Sequence, residues 1–461
     1  MPTTPASPLR PDLAAFAAGF EGTVVTPADP GYDAARQVAN AVHDRRPAAI
    51  VKPVGAAGVA RAVGFARDAG IPLRVRGGGH SLAGHGVDDD ALVVDLSAMK
   101  AIEVDPGRRV ATIEGGALAG EVVRATFAHG LTVPAGDTPT VGFGGLTLGG
   151  GIGWLARRRG LTIDHLRAVE VVTASGAALR ASPDEHPELF WAVRGGGGNF
   201  GVVTRFEVRL GPIGTVYGGA LVLPATPPVL RSHVPIAASA PEELTTIASL
   251  MAIPRLPFVP AEHHGTLGFL VLVAHDGDPA AGPAAVAPYR AVAAPLGEML
   301  APMPYPAMFE LGGPEGRSGA VTRSTFLAAL DDAAIDAILQ YLSRRSSPMA
   351  MVQVRVLGGA VDRVASDATA YAHRGRPIMV TIIVPFLDPS EAAVHRAWAD
   401  GLLAALGPAA SGVYSNFLDD EGPARVRAAY PGVTYHRLAA IKRRYDPANL
   451  FAGNQNVPPA D

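Results

Sequence analysis

Between Arg76 and His85 the chain reads Arg76-Gly77-Gly78-Gly79-His80-Ser81-Leu82-Ala83-Gly84-His85. A run of three glycines is a poor host for a helix or a strand, because each pays the largest backbone entropy of any residue. What it offers is backbone that can enter conformations closed to other residues and lie directly against a ligand. Successive N–H groups in such a turn make an anion-binding concavity. The preceding Ile71-Pro72-Leu73-Arg74-Val75 alternates as a short strand, so the glycines leave a sheet end. A histidine directly after the cradle brings its ring close to whatever the cradle holds.

The signature recurs. Pro139 to Trp154 carries seven glycines in sixteen residues, Gly142, Gly145, Gly149, Gly150 and Gly153 among them, again too many for the interior of a regular element. A third cluster lies in Leu189 to Thr204, where Gly196-x-Gly198-x-x-Gly201 formally matches a dinucleotide fingerprint. That motif has to open a helix. Here Gly201 leads into Val202-Val203-Thr204-Arg205-Phe206-Glu207-Val208-Arg209-Leu210, which alternates as a strand, so a Rossmann reading is rejected.

With 461 residues, two domains are the natural expectation. Hydrophobic residues at 48% and charged residues at 18% fit a globular chain. A net charge of -3 provides no basic field for nucleic acid or anionic lipid. Cysteine is absent, which excludes disulfides, thiolate metal sites and any cysteinyl cofactor link. No HExxH or comparable cluster points to a metal. Met1 to Phe20 shows no basic segment followed by an apolar core, and no apolar run spans a bilayer, so a cytoplasmic location and no membrane partner are expected.

The element pattern is α+β. A polar start and an amphipathic helix, clearest over Tyr32 to Val42, lead to a strand at Ala48–Pro53 and a helix at Ala56–Ala69 capped by Gly70. Strands at Ala91–Leu96 and Arg109–Glu114, a helix at Ala117–Gly130 and a hairpin at Ala168–Ala181 follow. From about Gly211 the glycine clusters end. Strands are expected at Val216–Leu223, Thr245–Ala252, Gly265–Ala274, Met349–Leu357 and Pro377–Pro385, with helices at Phe326–Arg344 and Pro389–Leu406. Such a run suggests an antiparallel sheet covered on one face. The boundaries read as 1–211, 212–406 and 407–461. The charged run Lys442-Arg443-Arg444 reads as a solvated helix face.

The segment Arg76-Gly77-Gly78-Gly79-His80-Ser81 resembles the flavin-attachment motif of the vanillyl-alcohol-oxidase superfamily (PCMH-type FAD-binding), specifically its berberine-bridge-enzyme-like oxidases. Similar motifs run from about Arg46 to Leu210 and from about Tyr414 to Pro459, including Thr140-Val141-Gly142, Gly198 to Val203, Tyr414-Ser415-Asn416, and Asn454-Gln455-Asn456. The resemblance implies a PCMH-type FAD-binding domain with a core over about 46–211, a substrate domain, and a C-terminal segment packing back on the first. It implies that His80 carries FAD through the flavin 8α-methyl, that the segment ending in Trp154 lines the flavin and pyrophosphate, and that Arg76 and His85 help hold the pyrophosphate or a flavin carbonyl. Many relatives bond a cysteine to the flavin C6 at the place of Thr138. A threonine cannot form that thioether, so the singly linked branch is expected.

The resemblance also nominates Tyr414 as the base that takes the substrate proton, with Tyr371 or His373 next in line. Gln353 stands where some relatives carry an acid and cannot itself be a base. Asn416 and Asn456 read as amides near the flavin ring, and Arg374 as a residue near the domain junction. The implied activity is hydride transfer from a sugar, alcohol or natural-product intermediate to FAD, with molecular oxygen as acceptor and hydrogen peroxide as product. An amine oxidase of the nicotine-alkaloid type and a flavin-free scaffold on the same fold are the alternatives, and a monomer or homodimer is expected.

Overall fold

The computed structural model describes residues 10–311 and 318–461, so the polar start over residues 1–9 lies outside them. The N-terminal part holds two larger sheets and a two-stranded ribbon that pairs Leu131–Thr132 with Gly211–Pro212. One is four-stranded, in the order Gly22–Val25, Ala49–Pro53, Leu92–Asp95, Leu73–Arg76, with the first pair antiparallel and the others parallel. The helix Ala56–Ala69 supplies the crossover between the second and last of these, burying Val59, Ala62, Val63 and Ala66 against the sheet. It stops at Gly70, whose φ of 64° is the left-handed cap the sequence foretells. The other sheet is five-stranded and antiparallel, ordered Ile102–Asp105, Val110–Glu114, Val202–Arg209, Leu166–Val172, Ala178–Ala181.

The C-terminal part is built on a seven-stranded antiparallel sheet: Gly297–Pro304, Thr215–Pro224, Leu267–His275, Leu244–Ala252, Met351–Val356, Ile378–Phe386, Gly319–Leu327. The period-two alternation of these strands divides their side chains between two environments. Ala248, Leu250, Val352, Val354, Val380 and Ile382 share one core with the helices Pro227–Ser239, Gly282–Val292, Asp332–Ser343 and Ala392–Ala405. Ile247, Leu272, Gln353, Arg355, Thr381 and Ile383 face the other way, onto a cavity shared with the N-terminal sheets. The fold is therefore α+β, with one helix-covered face on the large sheet.

Three sequence expectations are corrected. The helix at Tyr32–Val42 is one turn, Tyr32–Ala35, because Val38 is drawn into a small core and Ala39 N–H bonds Gly79 O at 3.0 Å. The helix at Phe326–Arg344 starts later: Phe326 belongs to the strand Gly319–Leu327, and Asp331 caps Asp332–Ser343 by accepting from Ala334 N–H at 2.9 Å. The run Lys442–Arg444 is not uniformly solvated, since the Lys442 side chain is 0% exposed. The strand Gly297–Pro304 and the helices Pro227–Ser239 and Gly282–Val292, two of them punctuated by internal prolines, carried no clear periodic signal.

Candidate active site

Strand Leu73–Arg76 delivers its glycine turn to the mouth of a cavity of about 590 Å³ between the N-terminal sheets and the open face of the seven-stranded sheet. Gly77, Gly78, Gly79, half-buried His80 and Ser81 form one wall. Thr138, Val141, Gly142, Gly145 and Trp154 form the next, Gly198 and Val203 another, and Tyr414, Asn416 and Asn454 close it from the C-terminal segment. The first two walls touch backbone to backbone: a Cβ on Gly78 would stand 2.3 Å from Gly142 N, and one on Gly142 equally close to Gly78 N. Only glycine lets these two turns meet. Gly145, by contrast, has nothing within 4 Å of where its Cβ would be, so its bare backbone is presented to the cavity.

The cavity carries unspent polar groups. His85 Nε2, Trp154 Nε1 and Asn454 Oδ1 are buried without a partner among the described residues. Each costs roughly 1–3 kcal/mol left so. Burial, with the Arg74 guanidinium adding to it, pushes His85 down to about 4, so its ring is neutral at pH 7. A ligand with oxygens and ring nitrogens relieves these groups, and glycine turns accept a flat or phosphorylated one. These residues fit FAD.

Residues 47–182 match the model described as FAD binding domain, and 413–458 the one described as Berberine and berberine like. The uncharacterized FAD-linked oxidoreductase YgaK of Bacillus subtilis (strain 168) is 34% identical over 455 residues, covering 95% of this chain and 97% of that one. The chain belongs to the berberine-bridge-like FAD-linked oxidoreductases. Its backbone also superposes on the crystal structure of 6-hydroxy-D-nicotine oxidase from Arthrobacter nicotinovorans with a TM-score of 0.86, at 28% identity and covering 99% of this chain and 100% of that one. A glucooligosaccharide oxidase from Acremonium strictum, whose FAD is described as 6-S-cysteinyl, 8α-N1-histidyl, gives a TM-score of 0.84 at 25% identity, covering 97% and 99%. This chain binds FAD and, lacking cysteine, cannot form the cysteinyl bond.

Within this FAD-linked oxidoreductase several expected site residues take other positions. The Arg76 guanidinium is committed to Asp95 at 2.8 Å and to Ala35 O at 2.5 Å, so it anchors the glycine turn rather than reaching for phosphate. Gly149, Gly150 and Gly153 sit behind the wall: their Cβ positions lie 2.2 Å from Asn416 Oδ1, 3.1 Å from the Tyr371 ring and 2.2 Å from Gly136 O. Thr140 backs the Gly78 contact, its carbonyl 2.9 Å from where a Cβ would be. Asn456 is half-buried but not on the cavity wall. Tyr371 is buried away from the cavity, its ring 6.0 Å from that of Tyr414, and burial holds its phenol protonated. His373 stacks on Phe326 at 4.7 Å, with Nε2 3.1 Å from Ala429 O, and Arg374 pairs with Asp164 at 2.5 Å; both are structural.

Tyr414 does reach the cavity, but its hydroxyl accepts from Gly151 N–H at 3.0 Å, Asn416 Nδ2 at 2.9 Å and Ile152 N–H at 3.5 Å. Burial pushes its pKa up despite these donors, against what a base requires. Gln353 is where the strand alternation puts it, on the wall, its Oε1 accepting from Arg355 Nε at 2.8 Å. The sequence reading missed Arg355 and its partner Asp137. Both line the cavity and pair at 2.5 Å, and Asp137 Oδ1 accepts from Thr138 Oγ1–H at 2.9 Å. The signal was present on one side: Arg355 lies two residues from Gln353 on a strand, hence on the same face.

Proposed function

We propose that this FAD-linked oxidase removes two hydrogens from a sugar, an alcohol or a natural-product intermediate, carries its FAD on a single 8α-histidyl bond at His80, and passes the electrons to oxygen to give hydrogen peroxide. The observation that supports it most is the position of His80, on the cavity wall at the end of a glycine turn fixed by the Gly78–Gly142 contact. Bound FAD supplies a two-electron acceptor for a hydride from the substrate carbon. The protein's part is positional. The glycine walls hold a flat ligand, and the Arg76–Asp95 pair fixes the turn that carries His80. Thr322, Gln353 and Thr381, on adjacent strands of the open sheet face, offer hydrogen bonds to a substrate on the opposite wall.

Denaturation, removal of small molecules and digestion test the link: the flavin should stay on the peptide containing His80. Flavin set free by acid, or found on another peptide, overturns the attachment. Oxygen uptake across a panel of sugars, alcohols and amines tests the reaction. Amine oxidation is the second reading, favoured by the 28% identity to the nicotine oxidase over 99% of this chain, and turnover confined to the amines of the panel would establish it.

A further inference from the structure

Among the described residues, one carboxylate faces the cavity: Asp137. The other side chains there that can titrate are Arg76, His80, His85, Arg355, Tyr414 and Tyr430. Arg76 is spent on Asp95, His80 is the attachment residue of the reading above, and Tyr414 is an acceptor already surrounded by donors. The Tyr430 phenol is pushed up to about 12 by burial. Asp137 sits opposite the open sheet face, where Arg355 from strand Met351–Val356 holds one carboxylate oxygen and Thr138 Oγ1–H the other. Arg355 is itself held: its Nε donates to Gln353, and its guanidinium lies 5.5 Å over the Phe417 ring. The carboxylate is thus fixed in one orientation and remains 20% exposed, towards the cavity.

We infer that Asp137 is the catalytic base, receiving the proton of the substrate's O–H or N–H while Arg355 acts as its positioning residue. This rests on the oxidase reading. The O–H or N–H bond breaks and its proton passes to an Asp137 oxygen. The hydrogen of the adjacent C–H bond leaves with the bond's electron pair as a hydride, for which FAD would be the acceptor, and the substrate becomes a carbonyl compound or an imine. Gln353 cannot do this, which is why the absence of an acid at position 353 does not leave the site without a base.

The test is chemical rescue of the holoenzyme variant Asp137→Ala with formate, on whichever panel compound the wild type oxidises. Turnover should fall about 10²- to 10⁴-fold. Formate, entering the hole beside Arg355, should restore it at least tenfold and perturb the visible flavin band of the variant but not of the wild type. The spectral titration needs no substrate, so it reads the site even where the panel fails and the oxidase reading falls with it. Arg355→Gln, which keeps the carboxylate, should lose far less than Asp137→Asn. A wild-type rate in Asp137→Ala, absence of rescue, absence of the spectral change, or equal losses in Arg355→Gln and Asp137→Asn overturns the assignment. Asp137→Asn, close in shape, repeats the rate measurement should the alanine variant lose its FAD.

Discussion

At residue scale the Tyr414 hydroxyl and the Asp137 carboxylate make opposite predictions. Tyr414→Phe removes one oxygen and strands buried donors on Gly151 and Asn416. Each unsatisfied group costs roughly 1–3 kcal/mol. Thermal denaturation should show a lowered melting temperature, and turnover should fall by less than about tenfold, below the range for loss of a general base. A hundredfold loss with unchanged melting would return the proton to Tyr414 and remove it from Asp137. The sequence made His80 legible because a glycine cradle is a local requirement. Asp137 was invisible as a site residue because the partner that fixes it lies 218 positions away, and no local pattern encodes that meeting.

At the scale of elements, the helix Val433–Tyr445 shows how a charge can mislead. Lys442 is helical, cationic and followed by two arginines, all marks of a wet surface. In the fold its ammonium donates to Asp446 Oδ2 at 2.6 Å, Asn199 O at 2.8 Å and Phe451 O at 3.0 Å, using all three protons. Asp446 in turn accepts from the N–H groups of Leu450 and Phe451, both at 2.8 Å. This junction sets the course of Phe451 to Gln455, four of which, Phe451, Gly453, Asn454 and Gln455, line the cavity. Lys442→Met leaves a buried carboxylate without its cation, held only by two backbone N–H groups, at a cost of about 3–5 kcal/mol. Denaturant unfolding should show that loss, and FAD content after purification should fall with it. Full stability in the variant would mean that Asp446 finds water.

Across the whole molecule, buried histidines set the response to acid. His233, beneath the large sheet, and His373, between the two halves, are each pushed down to about 4 by burial. Between about pH 4 and 6.5 the unfolded chain therefore binds protons that the folded chain refuses. Stability is complete above about 6.5 and is lost as pH falls towards 4, by about 1.4 kcal/mol per unit for each histidine. Urea midpoints at pH 7, 6 and 5 measure the slope, and His373→Phe should reduce it by one histidine's share. An unchanged slope in that variant would mean that His373 is protonated in the folded protein.

The cavity is walled by residues 77–79 at one side and 451–455 at the other, and that separation has a meaning in time. A ribosome adding about 5–20 residues each second reaches the second wall tens of seconds after the first. The sheet that carries the glycine turn can form in that interval, yet the groove it offers stays open along one flank. Capture of the cofactor in a closed site therefore waits for Phe451 to Gln455, and chains cut short before Phe451 keep most of their sheets but a groove missing the flank that those residues would close.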